Sequence, residues 1–503
     1  MPKAFFRREL LTNPAAIALY LSLFKLLLHL FANGQFGYHR DELYYMACGQ
    51  HLDFGYVDHP PLIALLARVW IGVIGNSLFS IRFLPAVAGA IVVYFTGLIT
   101  RELGGRTYAA IIACLSVIIA PVILSTDNLF TTNVFDQLFW VMGIYLIVKI
   151  LKYDKPKGWI WVGLIIGLGL LNKHSVVFLI FGLGVGLLLT SQRRYFRNKY
   201  FWIGTGVTIL IFAPNLIWQI KHGWPTIEFL REAEINRPTG GSLFDFVKQI
   251  TFSFHPLTLP IWAAGFYFLL LSKDGKRYRL LAVLFITLLI FFSIQRSKDY
   301  YLAPVFPMLW ASGAVMLERL IRKRKLILLR SAIIGILLVG GIALAPLSIP
   351  ILSFDKTVEY CEYARGGLHP VYSDMLGWEN MVETVARVYN NLPEDEKRVC
   401  GIMTQNYGQA AAINFFGAKY DLPGAISPHN SYWLWGPGDY TGEIMITTGI
   451  SPEGLSQGFE SHRVAEVVVN DYVMWYETNQ PVIIWKNPRM PLAAMWPYLK
   501  LYY

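Results

Sequence analysis

Apolar runs of about 17–22 residues recur between residues 14 and 348, and their length constrains the fold more than any other feature of the chain. Each run matches a hydrocarbon layer roughly 30 Å thick. Inside such a layer backbone polar groups must be satisfied within their own segment, so the runs read as helices. Composition agrees. The 503 residues are 55% hydrophobic and only 15% charged, against about 25% charged in soluble domains. The net charge of +11 sits mainly in short loops between the runs, where it sets orientation and is not a nucleic-acid signal.

Candidate spans are 14–33, 81–100, 108–124, 132–151, 158–172, 174–190, 201–219, 257–272, 279–293, 300–319 and 326–348, about eleven transmembrane helices, with 158–172 and 279–293 the shortest. Residues 62–78 are also apolar, but they follow Pro60-Pro61 and contain Arg68. They read as an interfacial helix lying on the membrane. The N-terminus places Lys3, Arg7 and Arg8 before an apolar stretch, as a signal peptide does. That stretch is longer than a signal core and lacks a small-x-small site, so it reads as a retained first span.

A cytoplasmic N-terminus puts five basic loops inside: Arg101 with Arg106; Lys152 to Lys157; Arg193 to Lys199; Lys273 to Arg279; and Arg319 to Lys325. Every one obeys the positive-inside rule. The outer segments are then 34–80, 124–131, the junction at 172–174, 220–256, 294–299 and a tail from about 350. They carry Asp41, Asp58, Asp127, Lys173, His174, His255, Lys298 and Asp299, and Asp136 lies one turn into the fourth span from the same side. The expected location is the cell (inner) membrane, multi-pass, with the tail extracytoplasmic.

The tail mixes apolar runs with Gly, Pro and charge. Glu379 to Asn391 and Gly408 to Phe416 have helical patterns, and Arg398–Thr404, Glu443–Thr448, Val464–Asn470 and Pro481–Trp485 read as short buried strands. The expected organisation is a membrane module over 1–349, with a first outer loop at 34–80 carrying interfacial helices, and an α/β domain over 350–503. Cys361 and Cys400 both fall in this domain, so either a disulfide or two free thiols is open there.

The outer polar groups suggest chemistry on a phosphate-linked substrate. Asp41, flanked by Glu42, Tyr44 and Tyr45, can take or orient an acceptor proton; the plain alternative is a loop whose acids face water. Pro60-Pro61 holds Asp58 and His59 in a defined turn. The segment is then either a bare turn or a site in which Asp58 steers a donor phosphate or, paired with His255, forms a His/carboxylate metal site, while His59 contacts the phosphate. Lys173, beside His174, is a cation at the hydrocarbon edge: a phosphate partner or a snorkelling lysine. Arg296, Lys298 and Tyr300 read as the other side of a phosphate clamp. Asn133 and Asp136 share a face of the fourth span. Asp127 in the preceding loop is a weaker candidate, and the plain alternative for it is a helix cap. Tyr432 to Trp435 suits either stacking on sugar or packing in the tail's core.

DELYY at 41–45, GYVDHPPL at 55–62, TTNVFDQLFW at 131–140, GLLNKHS at 169–175, KDYYLAPVFPML at 298–309 and HNSYWLWGPGDY at 429–440 resemble the GT-C class of polytopic glycosyltransferases. Within it the chain is similar to the bacterial branch of the dolichyl-phosphate-mannose protein mannosyltransferase family, related to the lipid A aminoarabinose transferases. The resemblance covers nearly the whole chain. It implies a catalytic face outside the cytoplasm, a polyprenyl-phosphate sugar donor and a first-loop carboxylate at Asp41. Asp58 matches a second acid of the aminoarabinose transferases, and His255 matches loosely a later His position. Both positions are associated with a metal in those relatives, which implies a divalent cation here. His59 stands where they carry Lys. The LNKHS lysine, Lys173, would face the donor phosphate.

The expectation is therefore an inverting glycosyltransferase with Asp41 and Asp58 as catalytic carboxylates. Glu42, Tyr45, His59, Asp136, Lys173, His174, Arg296, Lys298 and Tyr300 are assigned to the donor and its phosphate. The acceptor is a lipid, glycan or protein, membrane lipids surround the chain, and no organic cofactor or nucleic acid is expected. The rival is a transporter or flippase, which also needs many spans and intramembrane charge. Such proteins often show repeats and midplane sites, whereas no repeat is visible here and the polar groups gather at one surface.

Overall fold

The computed structural model describes residues 13–235, 242–295 and 297–503. Among the described residues, seven helices are long and apolar enough to cross a membrane: Pro14–Ala32, Leu78–Glu102, Thr132–Tyr153, Lys199–Lys221, Lys276–Ile294, Asp299–Arg324 and Ile327–Leu347. Three further pairs are bent within one apolar stretch: Thr107–Ile119 with Pro121–Asp127 by 67°, Val176–Leu189 with Ser191–Arg197 by 109°, and Leu243–Ser253 with Pro256–Leu271 by 104°. Counting each pair once gives ten. The expected eleventh, Gly158–Asn172, has 15 residues, about 22 Å of helix. Leu62–Val73 is a separate short apolar helix, where the sequence suggested an interfacial one.

The chain divides into two compact units that cut across the linear division expected at residue 350. The first holds Met1–Gln35, Phe79–Pro214 and Pro238–Tyr360; the second holds Phe36–Leu78, Asn215–Arg237 and Cys361–Tyr503. Residues 36–78 thus fold with the C-terminal residues, because their helix Arg40–Gln50 is polar at its start and buries Leu43 to Gly49.

In the membrane-spanning unit, small residues let helices approach closely. A Cβ added to Gly313 would lie 1.8 Å from Ile261 O, and one on Gly265 would lie 2.0 Å from Leu309 O. The helices Leu259–Leu271 and Phe306–Arg324 therefore touch backbone to backbone. Phe254 stacks on Phe306 with ring centres 3.8 Å apart and caps this contact.

The second unit is built on a five-stranded sheet: β1 (Cys400–Thr404), β2 (Ala425–Ile426), β3 (Ile444–Thr448), β4 (Phe459–Val468) and β5 (Gln480–Pro488). The order is β2-β1-β3-β5-β4. β1 pairs parallel with β2 and β3, while β5 runs antiparallel to β3 and β4. β1 and β3 are buried along their whole length, as expected of central strands read as continuous apolar runs. The helix Trp378–Asn390 covers the sheet with Trp378, Met381, Val382 and Val385. Cys361 and Cys400 are buried free thiols, so the disulfide alternative is not formed.

His429 is buried beside β2. Its Nε2 lies 3.0 Å from Tyr503 O, and its ring stacks on Tyr503 at 4.6 Å. Burial lowers its pKa to about 4.

Gly313→Val should lower thermal stability in detergent, because backbone contact leaves no room to relax, by about 1–3 kcal/mol. Gly335→Val, which meets nothing within 4 Å, should leave the melting temperature unchanged. In the second unit, unfolded His429 takes up a proton near pH 6.5 while the folded ring waits until about pH 4. Stability should therefore fall as pH drops through that window. Tryptophan fluorescence melts should show a shallower decline for His429→Gln.

Candidate active site

The helix Arg40–Gln50 begins with a capping box: Asp41 N–H donates to His39 Nδ1 at 3.2 Å, and Glu42 Oε2 accepts His39 N–H at 2.8 Å. Glu42, counted with the donor-binding candidates, is thus buried as a cap. Helical spacing puts Asp41, Tyr44, Tyr45 and Cys48 on one stripe.

Two carboxylates meet two tyrosines along this stripe. Tyr407 Oη donates to Asp41 Oδ1 at 2.9 Å, and Tyr44 Oη donates to Asp58 Oδ1 at 2.8 Å. The Tyr44 and Tyr407 rings lie 4.4 Å apart. Tyr44 Oη is also 2.8 Å from Ser431 Oγ, which accepts Val57 N–H at 3.2 Å. Burial first, and the neighbouring carboxylates second, push both phenols well above their usual range, so both keep the proton they donate. Burial also raises Asp58, with Asp41 adding to the effect.

Tyr407 was not among the sequence candidates. It opens the helix Tyr407–Phe416, which Asn406 and Gln409 cap reciprocally. Glu477 grips both caps: Asn406 Nδ2 donates to Oε1 at 3.0 Å and Gln409 Nε2 to Oε2 at 2.7 Å. Asn406-x-x-Gln409 is a readable helix-start signal, but nothing in the sequence joins it to Asp41. Arg40 runs beside this group, donating to Tyr476 Oη at 2.8 Å and lying 5.6 Å from the Tyr407 ring centre.

His59 was assigned to a phosphate. Both of its ring nitrogens are engaged inside the fold: Nδ1 donates to Pro60 O at 2.8 Å, which leaves Nε2 to accept from Cys48 Sγ at 3.6 Å. Burial lowers its pKa, so it is neutral near pH 7. Tyr45 packs edge-on against it at 4.9 Å. Tyr432 is buried and accepts from Asn414 Nδ2 at 3.1 Å, while Trp433 and Trp496 donate to each other's carbonyls at 3.0 Å. These rings of the Tyr432–Trp435 run are core, and Trp435 stacks on His51 at 4.2 Å.

The membrane-spanning unit holds a second cluster. Lys173 ends the helix Gly158–Asn172, donates to Asn133 Oδ1, and lies 5.3 Å from the ring centres of both Tyr300 and Tyr301. Lys298 approaches Tyr300 from 5.8 Å. Asp136 is buried one turn along from Asn133 and accepts Ser175 Oγ–H at 2.8 Å. His174 faces Phe212 at 6.1 Å. Lys173, Asp136, Lys298 and Tyr300 therefore come together as the sequence suggested; Arg296 lies outside the described residues.

Asp127 is not a cap. It forms an ion pair with Lys25 at 2.9 Å, both side chains fully buried. Lys25 was missed because one lysine in an apolar run shows no partner in sequence.

Asp58 and His255 fall in different units. His255 caps Pro256–Thr258, its Nδ1 accepting Leu257 N–H at 3.2 Å, with φ of 74°. Among the described residues no three His, Cys, Asp or Glu side chains are grouped to hold a metal ion.

Residues 58–218 match the family described as dolichyl-phosphate-mannose-protein mannosyltransferase. The lipid A galacturonosyltransferase RgtD of Rhizobium johnstonii is 30% identical over 199 residues, which are 38% of this chain and 40% of that relative's length. ArnT of Cupriavidus metallidurans superposes with a TM-score of 0.60 at 15% identity, over 93% of this chain and 97% of ArnT. Its undecaprenyl-phosphate-bound form gives the same score and coverage at 13% identity. The arabinofuranosyltransferase AftD from Mycobacteria gives 0.53 at 14% identity, over 93% of this chain and 40% of AftD. The chain thus has an ArnT-type fold, and its residues 58–218 are similar to the dolichyl-phosphate-mannose-protein mannosyltransferase family.

Proposed function

We propose that the chain is an inverting glycosyltransferase that moves a sugar from a polyprenyl-phosphate donor to a lipid acceptor at the extracytoplasmic face. The observation that carries this reading is the pair of carboxylates, Asp41 and Asp58, each held by the hydroxyl of one of two adjacent, tilted tyrosines. Such a pair suits proton removal from an acceptor. The binding of undecaprenyl phosphate by ArnT and the lipid A acceptor named for RgtD support the donor and acceptor classes. The basic loops support the orientation.

In this mechanism the acceptor oxygen or nitrogen attacks the anomeric carbon from the face opposite the phosphate. The new bond forms as the bond from sugar carbon to phosphate oxygen breaks, so configuration inverts. The acceptor proton passes to the Asp41 carboxylate, and the electron pair leaves on polyprenyl phosphate. Within the membrane-spanning unit Lys173, with Tyr300 and Tyr301 beside its ammonium, is a cation suited to a phosphate group. Tyr407 holds the Asp41 carboxylate in place by donating to Oδ1.

The test uses full-length purified protein, a panel of polyprenyl-phosphate sugars and a lipid A-type acceptor. Asp41→Asn should fold normally and lose transfer by about 10²–10⁴-fold. Lys173→Met should act mainly on use of the donor, and Tyr407→Phe should lower kcat about tenfold while leaving donor KM unchanged. Normal turnover by Asp41→Asn would remove the carboxylate from the reaction and end this reading.

A further inference from the structure

The helix Thr132–Tyr153 carries Asn133 and Asp136 at one end and Lys152 at the other. At the Lys152 end, within the membrane-spanning unit, two cavities of about 620 and 580 Å³ adjoin, sharing Gly104 and Asp274. The first sets Arg106, Arg319, Arg322 and Lys323 against Asp274 and Glu318. The second sets Lys152, Lys273, Lys276 and Arg277 against Glu102 and Asp274.

The acids are already engaged. Glu318 accepts Arg106 N–H at 2.8 Å and Ala109 N–H at 3.2 Å. Glu102 Oε2 accepts from Lys152 Nζ at 2.9 Å and Tyr153 Oη at 2.8 Å, and Asp274 pairs with Arg319. Among the described residues Lys273, Lys276, Arg322 and Lys323 have no carboxylate partner. Gly104, at φ of 91°, keeps the shared wall open, since a Cβ there would lie 3.2 Å from Arg319 Nη2. Orientation alone would be served by solvated lysines such as the exposed Lys155 and Lys157. It does not require a concave site whose acids are tied down while Lys273, Lys276, Arg322 and Lys323 have no carboxylate partner among the described residues.

We propose that the joined cavities bind the headgroup of an anionic phospholipid, one phosphate to each cavity. Two observations favour lipid over a soluble anion. The cavities lie at the ends of apolar spans, where Arg322 and Lys323 close Asp299–Arg324 and Lys276 opens Lys276–Ile294. Apolar side chains also flank the cations: Leu320, three residues before Lys323 on one helix face, is 45% exposed, and Ile327 is 71% exposed. Basic pockets between span ends are where acidic headgroups bind.

Native mass spectrometry of the full-length protein in detergent, titrated with cardiolipin or phosphatidylcholine, tests this. Cardiolipin should be retained at least tenfold more than phosphatidylcholine. The triple variant Lys276→Gln, Arg322→Gln, Lys323→Gln should lose most of that preference, and Lys155→Gln with Lys157→Gln should keep it. Equal retention of the two lipids, or equal loss in both variants, would overturn the site. Displacement of cardiolipin by millimolar inorganic phosphate would reassign the cavities to a soluble anion and overturn the lipid assignment. Circular dichroism and melting curves for each variant separate lost binding from lost folding.

Discussion

A charge taken into hydrocarbon keeps its ionised form only beside a partner, since desolvation costs several kcal/mol per ion even after relaxation. That constraint arranges the membrane-spanning unit. Lys25 in the first span reaches Asp127 at the end of the bent helix. Gly89 makes room for the carboxylate, because a Cβ there would lie 2.3 Å from Asp127 Oδ2. Removing one partner of such a pair costs about 3–5 kcal/mol, whereas an apolar pair of the same volume can be neutral. The pair therefore fixes which helices are neighbours more than it adds stability. The same bent helix continues the polar row: Thr126 accepts from Gln137 Nε2 at 2.8 Å, and Gln137 follows Asp136 in the span that carries the Lys173 cluster.

The second unit answers the same problem with hydroxyls. Its carboxylates Asp41 and Asp58 face phenols, which give a hydrogen bond without giving up charge. A lysine in place of either phenol would neutralise the carboxylate and weaken it as a base. The tyrosines are in turn held from behind, Tyr407 through the caps that Glu477 secures and Tyr44 through Ser431. Precision at the carboxylates is thus supplied by the C-terminal residues.

Period and length made the spans readable, because lipid admits few backbone solutions. The C-terminal strands were readable for a similar reason: β1 and β3 are short apolar runs buried throughout, and the helix pattern at 379–391 matches Trp378–Asn390. The two-residue β2 carried too little pattern to be seen. In the site, Lys173 and Asp136 stood out because charge is rare at a span's edge. Glu42 and His59 were hard to place because acidic and basic side chains in one polar segment look alike whether they cap a helix, pack inside the fold or meet a ligand. Tyr407 and Lys25 were invisible for the opposite reason: their partners are 366 and 102 residues away in the chain, and only folding brings them close.

The hydroxyl of Tyr44 has one hydrogen and two neighbours at equal range, Asp58 Oδ1 and Ser431 Oγ. With Asp58 ionised, the phenol points to the carboxylate and Ser431 must point to the phenol. A proton arriving on Asp58 reverses both, so that the acid points to Tyr44 and Tyr44 to Ser431. The three oxygens form a short row with a heading, and the heading follows whether Asp58 carries a proton.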